Sequence, residues 1–154
     1  MPMDITLEGA SAADLDELVA LRIEAMRESL ERIGRFDPAR ARERFTLGFS
    51  PENTQHIVAV SRRVGFIVTK LQEGHLLLDH LYIKPQHQNL GIGAAVLQAV
   101  FKKAASLALP IRVGALKESA SNRFYERHGF QLVEQSEFDN YYIRREPQEA
   151  KRHE

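Results

Sequence analysis

Six residues in the middle of the chain, Gln88-Asn89-Leu90-Gly91-Ile92-Gly93, decide the fold prediction. They separate a strand-like run, His75–Lys84, which ends at Pro85, from a helix-like run that begins after Gly93. Two glycines at such a junction let the backbone come close to a ligand. The N–H groups at the helix start lie at the positive end of the helix dipole and suit a phosphate. The segment therefore predicts either an anion-binding turn or a tight strand-to-helix turn without a ligand.

Two other kinds of glycine loop fit these residues poorly. A Walker loop has Gly-Lys-Ser/Thr after its spacer, whereas Gly93 is followed by Ala94 and Ala95. A dinucleotide fingerprint has a third small residue where this chain has Val96, and it usually follows the first strand of its unit. About half of this chain precedes the loop. A nucleotide-binding protein that uses the same loop stays a less favoured alternative.

The residues before the loop predict one strand, two helices and three more strands. Ser11 and Asp14 can form a capping box at the start of the first helix, and Gly34 is a stop signal. Asp37-Pro38 opens the second helix, with Asp37 as its cap. We expect a turn at Ser61–Arg63. The predicted strands are Ile5–Leu7, His56–Val60, Val64–Val68 and His75–Lys84.

The residues after the loop predict two helices and three strands. Apolar residues recur at helical spacing over residues 96–104, which predicts the first of these helices. Ser119 is expected to cap a short helix that runs through His128 and ends at Gly129. The two closing strands should be joined at Asp139-Asn140. The predicted strands are Ile111–Leu116, Phe130–Phe138 and Tyr141–Arg145.

The resulting order, β-α-α-β-β-β-α-β-α-β-β, predicts an α/β fold with a mixed, mostly antiparallel sheet of about seven strands. Short turns make the three central strands antiparallel. The helix between His75–Lys84 and Ile111–Leu116 is a crossover, so those two strands should be parallel, with a right-handed connection. Helices should cover both faces of the sheet. One domain is predicted over residues 1–146, followed by a polar C-terminal tail at residues 147–154.

Composition excludes several classes of function. The 21 Lys and Arg residues balance the 21 Asp and Glu residues, which argues against a protein that grips nucleic acid through its phosphates. The sequence has no Cys, so disulfides, thiolate metal sites and a Cys nucleophile are excluded. The six His residues show no metal-ligand spacing, and no metal is predicted. The N-terminus does not resemble a signal peptide, and the longest uncharged stretch, Pro85–Phe101, contains five polar residues. We expect a cytoplasmic protein without a membrane partner.

A second motif follows about 30 residues after the loop. It is Asn122-Arg123-Phe124-Tyr125-Glu126-Arg127-His128-Gly129-Phe130. Together the two motifs resemble the GNAT superfamily of acetyl-CoA-dependent N-acetyltransferases. The loop matches the family's Q/R-x-x-G-x-G/A pyrophosphate motif, and the second stretch matches its helix ending in F-Y-E-x-x-G-F. The preceding strand residues, Leu81–Pro85, and the predicted element order also match, so the resemblance covers nearly the whole chain.

The resemblance implies acetyl-CoA as the cofactor and places its contacts. The strands Leu81–Lys84 and Ile111–Leu116 would splay, and the cofactor would enter the wedge between them. Backbone groups of Leu81, Tyr82 and Ile83 would hold the pantetheine arm. Asn89 stands where the family often has Gly, and Asn tolerates unusual backbone angles better than most residues. The pyrophosphate would meet backbone N–H groups of Gln88, Asn89, Leu90, Gly91, Ile92, Gly93 and Ala94.

Two further cofactor-binding candidates lie near the second motif. The family often has an Asn that touches the cofactor near the start of this helix. Glu118 and Ser119 occupy that neighbourhood here, and Asn122 lies closer to Tyr125. Ser119 and Asn122 are therefore both candidates.

The implied reaction is direct transfer of an acetyl group to a primary amine of a small molecule or a protein. Tyr125 matches the family residue that often protonates the leaving thiolate, although its ring could simply pack beside Phe124 and Phe130. His80 and Asp79 lie on the cofactor strand and are candidate general bases.

Two residues of the first helix are candidates for the acceptor site. Arg22 is a charge on an apolar stripe, which needs a partner, a cleft or a snorkelling side chain. Glu24 could line the acceptor cleft or belong to a solvated helix face.

One alternative from another class is a catalytically inactive acyl-CoA-binding or regulatory module. It would keep the loop Gln88–Gly93 and dispense with Tyr125. Because family members are often dimers, we also expect a homodimer.

Overall fold

The computed structural model describes residues 4–145, which form seven strands and four α-helices in the predicted order. The predicted tail at residues 147–154 lies outside the described residues. The strands are β1 Ile5–Gly9, β2 Thr54–Ala59, β3 Arg62–Gln72, β4 His75–Ile83, β5 Ile111–Leu116, β6 Gln131–Gln135 and β7 Asp139–Arg144. The helices are α1 Leu15–Arg32, α2 Pro38–Gly48, α3 Ile92–Leu107 and α4 Ser121–Arg127.

The sheet confirms the predicted fold class. Its strand order is β1-β2-β3-β4-β5-β7-β6, and β4 and β5 form its parallel pair. The pairing of β4 with β5 runs from Leu76 opposite Ile111 to Leu78 opposite Val113. Each strand then continues beyond the paired residues, β4 to Ile83 and β5 to Leu116. The connection between them contains α3, as a parallel pair requires.

The described residues form two compact units, which share β3, β4 and α3 between them. The first unit comprises residues 4–69 and His80–Val96, and the second comprises Lys70–Asp79 and residues 97–145. The core of the first unit joins α1 and α2 to β3, through Leu18, Val19, Leu21, Phe45, Phe66 and Val68. Fully buried or nearly buried side chains of the second unit include Leu97, Val100, Ile111, Val113, Tyr125, Phe130, Tyr142 and Ile143.

The capping signals predicted for the first two helices are present, although the capping box of Ser11 begins a 3-10 turn, Ala12–Asp14, that leads into α1 at Leu15. The backbone N–H of Ser11 donates to the Asp14 carboxylate at 3.0 Å, in the expected capping box. Gly34 follows α1 with a φ of 71°, a conformation that glycine adopts without a steric penalty. The Asp37 carboxylate accepts from the backbone N–H of Arg40 at 3.1 Å, and Pro38 is the first residue of α2.

The turn between β2 and β3 lies one residue earlier than predicted. Ala59 pairs with Arg62, so the turn consists of Val60 and Ser61 and not of Ser61–Arg63. Both turn residues have positive φ values, 51° and 61°. This geometry matches the twist of a two-residue hairpin, but Asn and Gly are its usual residues, which is why the sequence did not reveal it.

Two predictions in the C-terminal part are also wrong. Asp139 and Asn140 do not form the turn before the last strand: they belong to β7, where Asn140 pairs with Gln135. The turn lies before them, and the Ser136 hydroxyl accepts from the Asp139 N–H at 3.2 Å. Ser119 does not cap α4, which begins at Ser121. Its hydroxyl instead donates to the carbonyl of Leu116 at the end of β5, at 2.8 Å.

A charge network ties the start of α1 to β2 and β3. His56 is 1% exposed, and its Nε2 lies 2.9 Å from the Asp14 carboxylate. Arg63 lies 3.6 Å from the same carboxylate and 2.9 Å from Glu17. The hydrogen bond from His56, and secondly that from the Ser11 N–H, lower the pKa of Asp14 from 3.8 to about 2. The ionised carboxylate is therefore favoured in the folded state.

We predict that Asp14→Asn makes the free energy of unfolding depend less on pH in the acid range. A folded-state pKa of about 2 means that Asp14 stabilises the fold above its unfolded pKa of 3.8, and that this contribution disappears as the pH falls toward 2. Urea unfolding of both proteins at several pH values between about 2 and 6 measures the difference. The difference in the free energy of unfolding between the wild type and Asp14→Asn should be largest at the upper end of this pH range and shrink as the pH falls.

Asp16→Asn is the matched control for this experiment. Its carboxylate is 83% exposed and pairs with Arg42 at the surface, so its removal should change stability little at any of these pH values. If the two variants gave the same difference from the wild type throughout, the role assigned to Asp14 would be wrong.

Candidate active site

The turn from β4 into α3 contains two residues in the left-handed region of backbone space. Asn89 has a φ of 63° and Gly91 a φ of 86°. The expectation that Asn89 tolerates an unusual backbone angle is confirmed. Gln88 fixes the start of the turn, because its side-chain amide donates to the carbonyl of Ile83 at 2.9 Å. The turn is exposed, and a Cβ added at Gly91 would meet no atom within 4 Å.

The start of α3 presents backbone donors next to this turn. The N–H of Ala95 donates to the carbonyl of Gly91 at 3.1 Å, which is the first hydrogen bond of the helix. A helix leaves the N–H groups before that bond without an intrahelical acceptor. Here those groups belong to Ile92, Gly93 and Ala94. The predicted pyrophosphate-binding residues therefore form one continuous turn and helix start.

The end of β4 passes unusually close to β3. A Cβ added at Gly65 would lie 2.2 Å from the carbonyl oxygen of Tyr82 and 3.2 Å from the Cα of Ile83. Only glycine allows this approach. The N–H of Lys84 donates to the carbonyl of Val64 at 2.8 Å and fixes the same stretch. The three residues predicted to hold the pantetheine arm, Leu81–Ile83, are half-buried.

His80 belongs to an aromatic cluster of the first unit. Its ring lies 5.3 Å from that of Phe45, 6.5 Å from that of Phe66 and 5.6 Å from that of Tyr82. The His80 Nδ1 is also 3.3 Å from the Tyr82 hydroxyl. Phe45 extends the cluster by stacking on Phe49, with ring centres 5.8 Å apart. The imidazole is thus held between apolar rings and one phenol.

The two candidates on α1 differ in their surroundings. The guanidinium of Arg22 lies over the ring of Tyr82, 5.9 Å from its centre. The Nε of Arg22 is buried and has no hydrogen-bond partner among the residues that the structure describes. Glu24 is exposed on the same helix. The structure therefore brings Arg22 together with Tyr82 and His80, and leaves Glu24 at the surface.

Asp79 lies in the second unit and forms an ion pair with Lys70, at 3.2 Å. It is also part of the wall of an open cleft of about 450 Å³ in that unit. The wall carries three carboxylates and one guanidinium among apolar and aromatic groups. The lining residues are Leu77, Leu78, Asp79, Arg112, Val113, Gly114, Glu134, Asp139, Tyr141 and Tyr142.

Sequence reasoning did not single out most of this cleft. Arg112 and Gly114 alternate with buried residues along β5, and this alternation was the available signal that they point away from the core. Glu134 and Tyr141 come from β6 and β7, which pair with each other. The sequence does not reveal which residues of these strands face the same side, because the pairing shifts register at Val133.

Tyr125 is 5% exposed near the end of α4. Its ring packs edge-on against Phe130 at 5.2 Å, with Phe124 at 5.4 Å and Tyr142 at 6.3 Å. The carbonyl of Tyr125 accepts from the N–H groups of His128 and Phe130, and these hydrogen bonds end α4 just after Tyr125. The packing fixes the ring in one place, which suits both a positioned acid and a structural side chain.

Asn122 joins the end of β5, the start of α4 and β7. Its side-chain N–H₂ donates to the carbonyls of Leu116 at 2.8 Å and Ser119 at 2.9 Å, and also to that of Lys117. Its oxygen accepts from the side chains of Asn140 at 2.8 Å and Tyr142 at 2.9 Å. The two donors and two lone pairs of the amide are all engaged. Any effect of Asn122 on a ligand therefore acts through the elements that it holds.

Electrostatics keep one partner of Asn122 protonated. Burial, and secondly the negative charge of Glu126, raise the pKa of the Tyr142 phenol. A protonated phenol can donate to the Asn122 oxygen, as the observed contact requires.

Residues 4–145 offer neither a cluster of metal ligands nor a membrane-spanning helix. They contain no group of three His, Asp or Glu side chains that could hold a metal ion. None of their helices is both long enough and apolar enough to cross a membrane.

Comparison with known families identifies the class of the protein. Residues 52–132, more than half of the 154 in the chain, match the family model described as an acetyltransferase (GNAT) domain. The matched range includes β4, the turn, α3 and α4. The chain therefore belongs to the GNAT family, as its two motifs indicated.

Individual relatives agree with this assignment. The chain is 30% identical over 78 residues to the uncharacterized N-acetyltransferase YafP of Escherichia coli strain K12, and the alignment covers 46% of this chain and 48% of that protein. The matched part is thus about half the length of this curated relative.

Two solved structures are similar in fold. The PaiA N-acetyltransferase of Thermoplasma acidophilum, determined with coenzyme A, has a TM-score of 0.77 at 20% identity, with 94% of this chain and 100% of that chain covered. The N-acetylglutamate synthase of Neisseria gonorrhoeae, determined with coenzyme A and N-acetyl-glutamate, has a TM-score of 0.64 at 18% identity, with 94% and 36% covered.

We predict that Gly65→Ala destabilises the protein by about 1–3 kcal/mol, the usual cost of forcing extra volume into a packed position. The new methyl group would overlap the Tyr82 carbonyl, and backbone must move to relieve the overlap. Chemical denaturation measures the loss. Gly9→Ala is the control, since a Cβ at Gly9 meets nothing within 4 Å. Equal stability of the two variants would contradict the close approach of β3 to β4.

We predict that Asn122→Asp lowers the free energy of unfolding by about 3 kcal/mol at neutral pH. The substitution removes both donors and places a carboxylate against three carbonyl oxygens, so buried polar groups lose their partners. Urea unfolding measures the change. Asn53→Asp is a matched control, because the Asn53 amide donates to the hydroxyl of Ser50. A wild-type midpoint for Asn122→Asp would show that the network contributes nothing.

Proposed function

We propose that this protein is an acetyl-CoA-dependent N-acetyltransferase that moves an acetyl group directly to a primary amine of a small molecule or a protein. The observation that carries the proposal is the turn between β4 and α3. Asn89 and Gly91 adopt left-handed angles there, and the helix start beside them has N–H groups without an acceptor within the helix. This arrangement is the one that the family uses to bind pyrophosphate.

The residues present fit coenzyme A. The N–H groups of Ile92, Gly93 and Ala94 offer donors for phosphate oxygens, and the space in front of Gly91 is open. Backbone groups of Leu81–Ile83 would hold the pantetheine arm. The PaiA and N-acetylglutamate synthase structures were determined with coenzyme A, which supports the same ligand for this fold. When bound, acetyl-CoA supplies an acetyl group activated as a thioester.

The acceptor amine needs a group that takes its proton. A typical alkylamine has a pKa of about 10.4, so freeing its lone pair at pH 7 costs about 4–5 kcal/mol. Of the two predicted bases, we favour His80. It lies in the aromatic cluster beside the backbone proposed to hold the thioester, and imidazole exchanges protons near neutral pH. Asp79 is held in an ion pair with Lys70, which supports a structural or acceptor-binding role.

The leaving thiolate benefits from an acid, and we propose the Oη of Tyr125 for this role. A phenol with an ordinary pKa of about 10 carries its proton at neutral pH. The three aromatic neighbours of Tyr125 hold its ring in one orientation and exclude water from it. Because the sequence has no Cys, we propose transfer without a Cys-linked acyl-enzyme.

A catalytically inactive acyl-CoA-binding module is the second candidate. The packing of Tyr125 is the observation that favours it, because a 5% exposed Tyr among aromatic rings is also what a purely structural role produces. The cytoplasmic location and the homodimer stay predictions from the sequence.

We predict that Tyr125→Phe lowers kcat by about 10²–10⁴-fold, the usual contribution of a general acid, with little change in the KM for acetyl-CoA. The substitution keeps the ring and its packing and removes only the hydroxyl. Thiol release with a panel of primary amines measures turnover. Calorimetry with acetyl-CoA, ATP and NAD measures binding at the loop.

Tyr142→Phe is the comparison variant, because it removes a hydroxyl from a ring whose centre lies 6.3 Å from that of Tyr125. It should cost about 1 kcal/mol of stability through its lost bond to Asn122, and it should lower kcat far less than Tyr125→Phe. Unchanged turnover in Tyr125→Phe would refute the acid assignment. Acetyl-CoA binding without thiol release on any amine would favour the inactive module, and ATP or NAD binding without acetyl-CoA binding would end the proposal.

A further inference from the structure

Among the three arginines of α1, Arg22 differs from Arg27 and Arg32 in having no ion pair within the helix. Arg27 lies 3.9 Å from Glu31 and Arg32 lies 3.1 Å from Glu28, both at the i,i+4 spacing that favours such pairs. The positions three and four residues away from Arg22 are occupied by Leu18, Val19, Ala25 and Met26, none of which has a charged side chain or an oxygen acceptor.

Within residues 4–145, the tertiary contact of Arg22 is with an aromatic ring and not with a carboxylate. The hydrophobic cluster that packs α1 in the first unit consists of aliphatic and aromatic side chains and includes Tyr82. The Arg22 guanidinium lies over the ring of Tyr82, and its Nε is buried without a hydrogen-bond partner among the described residues. A guanidinium keeps its charge and its protons inside a protein, so the Nε of Arg22 stays a hydrogen-bond donor.

The chemistry of the missing partner follows from these facts. Guanidinium presents its N–H groups in a planar fork that matches a carboxylate, with two parallel hydrogen bonds. The position of Arg22 then indicates that the acceptor molecule supplies this carboxylate. Arg22 sits over Tyr82, and the hydroxyl of Tyr82 is 3.3 Å from the Nδ1 of His80, the base proposed above. An amine that reaches His80 would bring a neighbouring carboxylate to Arg22.

We propose that the acceptor is an amino acid-like molecule, whose amine is acetylated and whose carboxylate is bound by Arg22. This inference rests on the proposed acetyltransferase function. It names the class of acceptor and assigns to Arg22 the choice between acceptors with and without the carboxylate.

The test compares three forms of each acceptor, with acetyl-CoA and thiol release as the readout. They are the L-amino acids, the amines in which hydrogen replaces the carboxyl group, and the amino acid amides, which resemble the N-terminus of a protein. For the best amino acid, kcat/KM should exceed that of both analogues by about tenfold or more, the value of a charge-assisted bidentate contact. In Arg22→Gln this preference should fall to about one, and Arg22→Lys should restore part of it.

Two controls separate binding from structure. Arg27→Gln removes a surface arginine of the same helix and should keep the wild-type preference. Arg22→Met should unfold at the same or a higher urea concentration than the wild type, because an unpaired buried donor is replaced by an apolar chain. A large loss of stability in Arg22→Met would assign Arg22 a structural role and overturn the proposal.

The remaining outcomes are distinct. Equal use of amino acids and their decarboxylated amines, or a preference that survives in Arg22→Gln, would overturn this inference and leave the acetyltransferase standing. Preference for the amino acid amides would point to protein α-amines and overturn it as well. Acetyl-CoA binding without thiol release from any of the three sets would overturn this inference, and the same result with the whole amine panel would overturn the proposed function as well.

Discussion

The proposed cofactor site depends on one backbone constraint, the way in which the chain leaves β4 and enters α3. The strand must end and the helix must begin within a few residues, so that the first N–H groups of the helix, which have no acceptor within the helix, follow the turn directly. Asn89 and Gly91 meet this constraint by adopting left-handed angles, and the Gln88 side chain fixes the turn to the carbonyl of Ile83. A residue with a branched side chain at Gly91 would be strained at a φ of 86°. At the site proposed here, helix-start donors rather than an excess of Lys and Arg would meet the phosphates, which would explain how a chain of zero net charge binds a phosphate-rich ligand.

The sequence predicts those features that depend on residues close together in the chain. The element order, the parallel pair and the caps at Ser11 and Asp37 follow from periodicity and local hydrogen bonding, and the structure confirms them. The tolerance of Asn89 for an unusual angle is a property of its side chain. Failures occur where tertiary pairing overrides local signals. The Val60-Ser61 turn has no usual turn residue, yet the pairing of Ala59 with Arg62 imposes positive φ on both.

The candidate site shows the same division between local and distant effects. The turn and the start of α3 are contiguous in sequence, so a motif identifies them. Asn122 is different, because the acceptors and donors that saturate its amide come from the end of β5, the start of α4 and β7. Spacing within a motif cannot indicate such saturation. The cleft in the second unit likewise depends on strand pairings, one of which shifts register at Val133.

The surroundings of the charged residues can be understood only from the sequence and the structure together. In the composition, 21 positive residues balance 21 negative ones. The sequence adds that Arg22 lies on an apolar stripe and that its helical neighbours are uncharged. The structure adds that Arg22 lies over the ring of Tyr82 and that its buried Nε has no hydrogen-bond partner among the described residues. The three arginines of α1 therefore differ in whether they have an ion-pair partner, which the number of charges does not reveal. Arg27 and Arg32 gain their stabilisation from their own helix, whereas the buried Nε of Arg22 gains a hydrogen bond only from a group that the described residues do not supply.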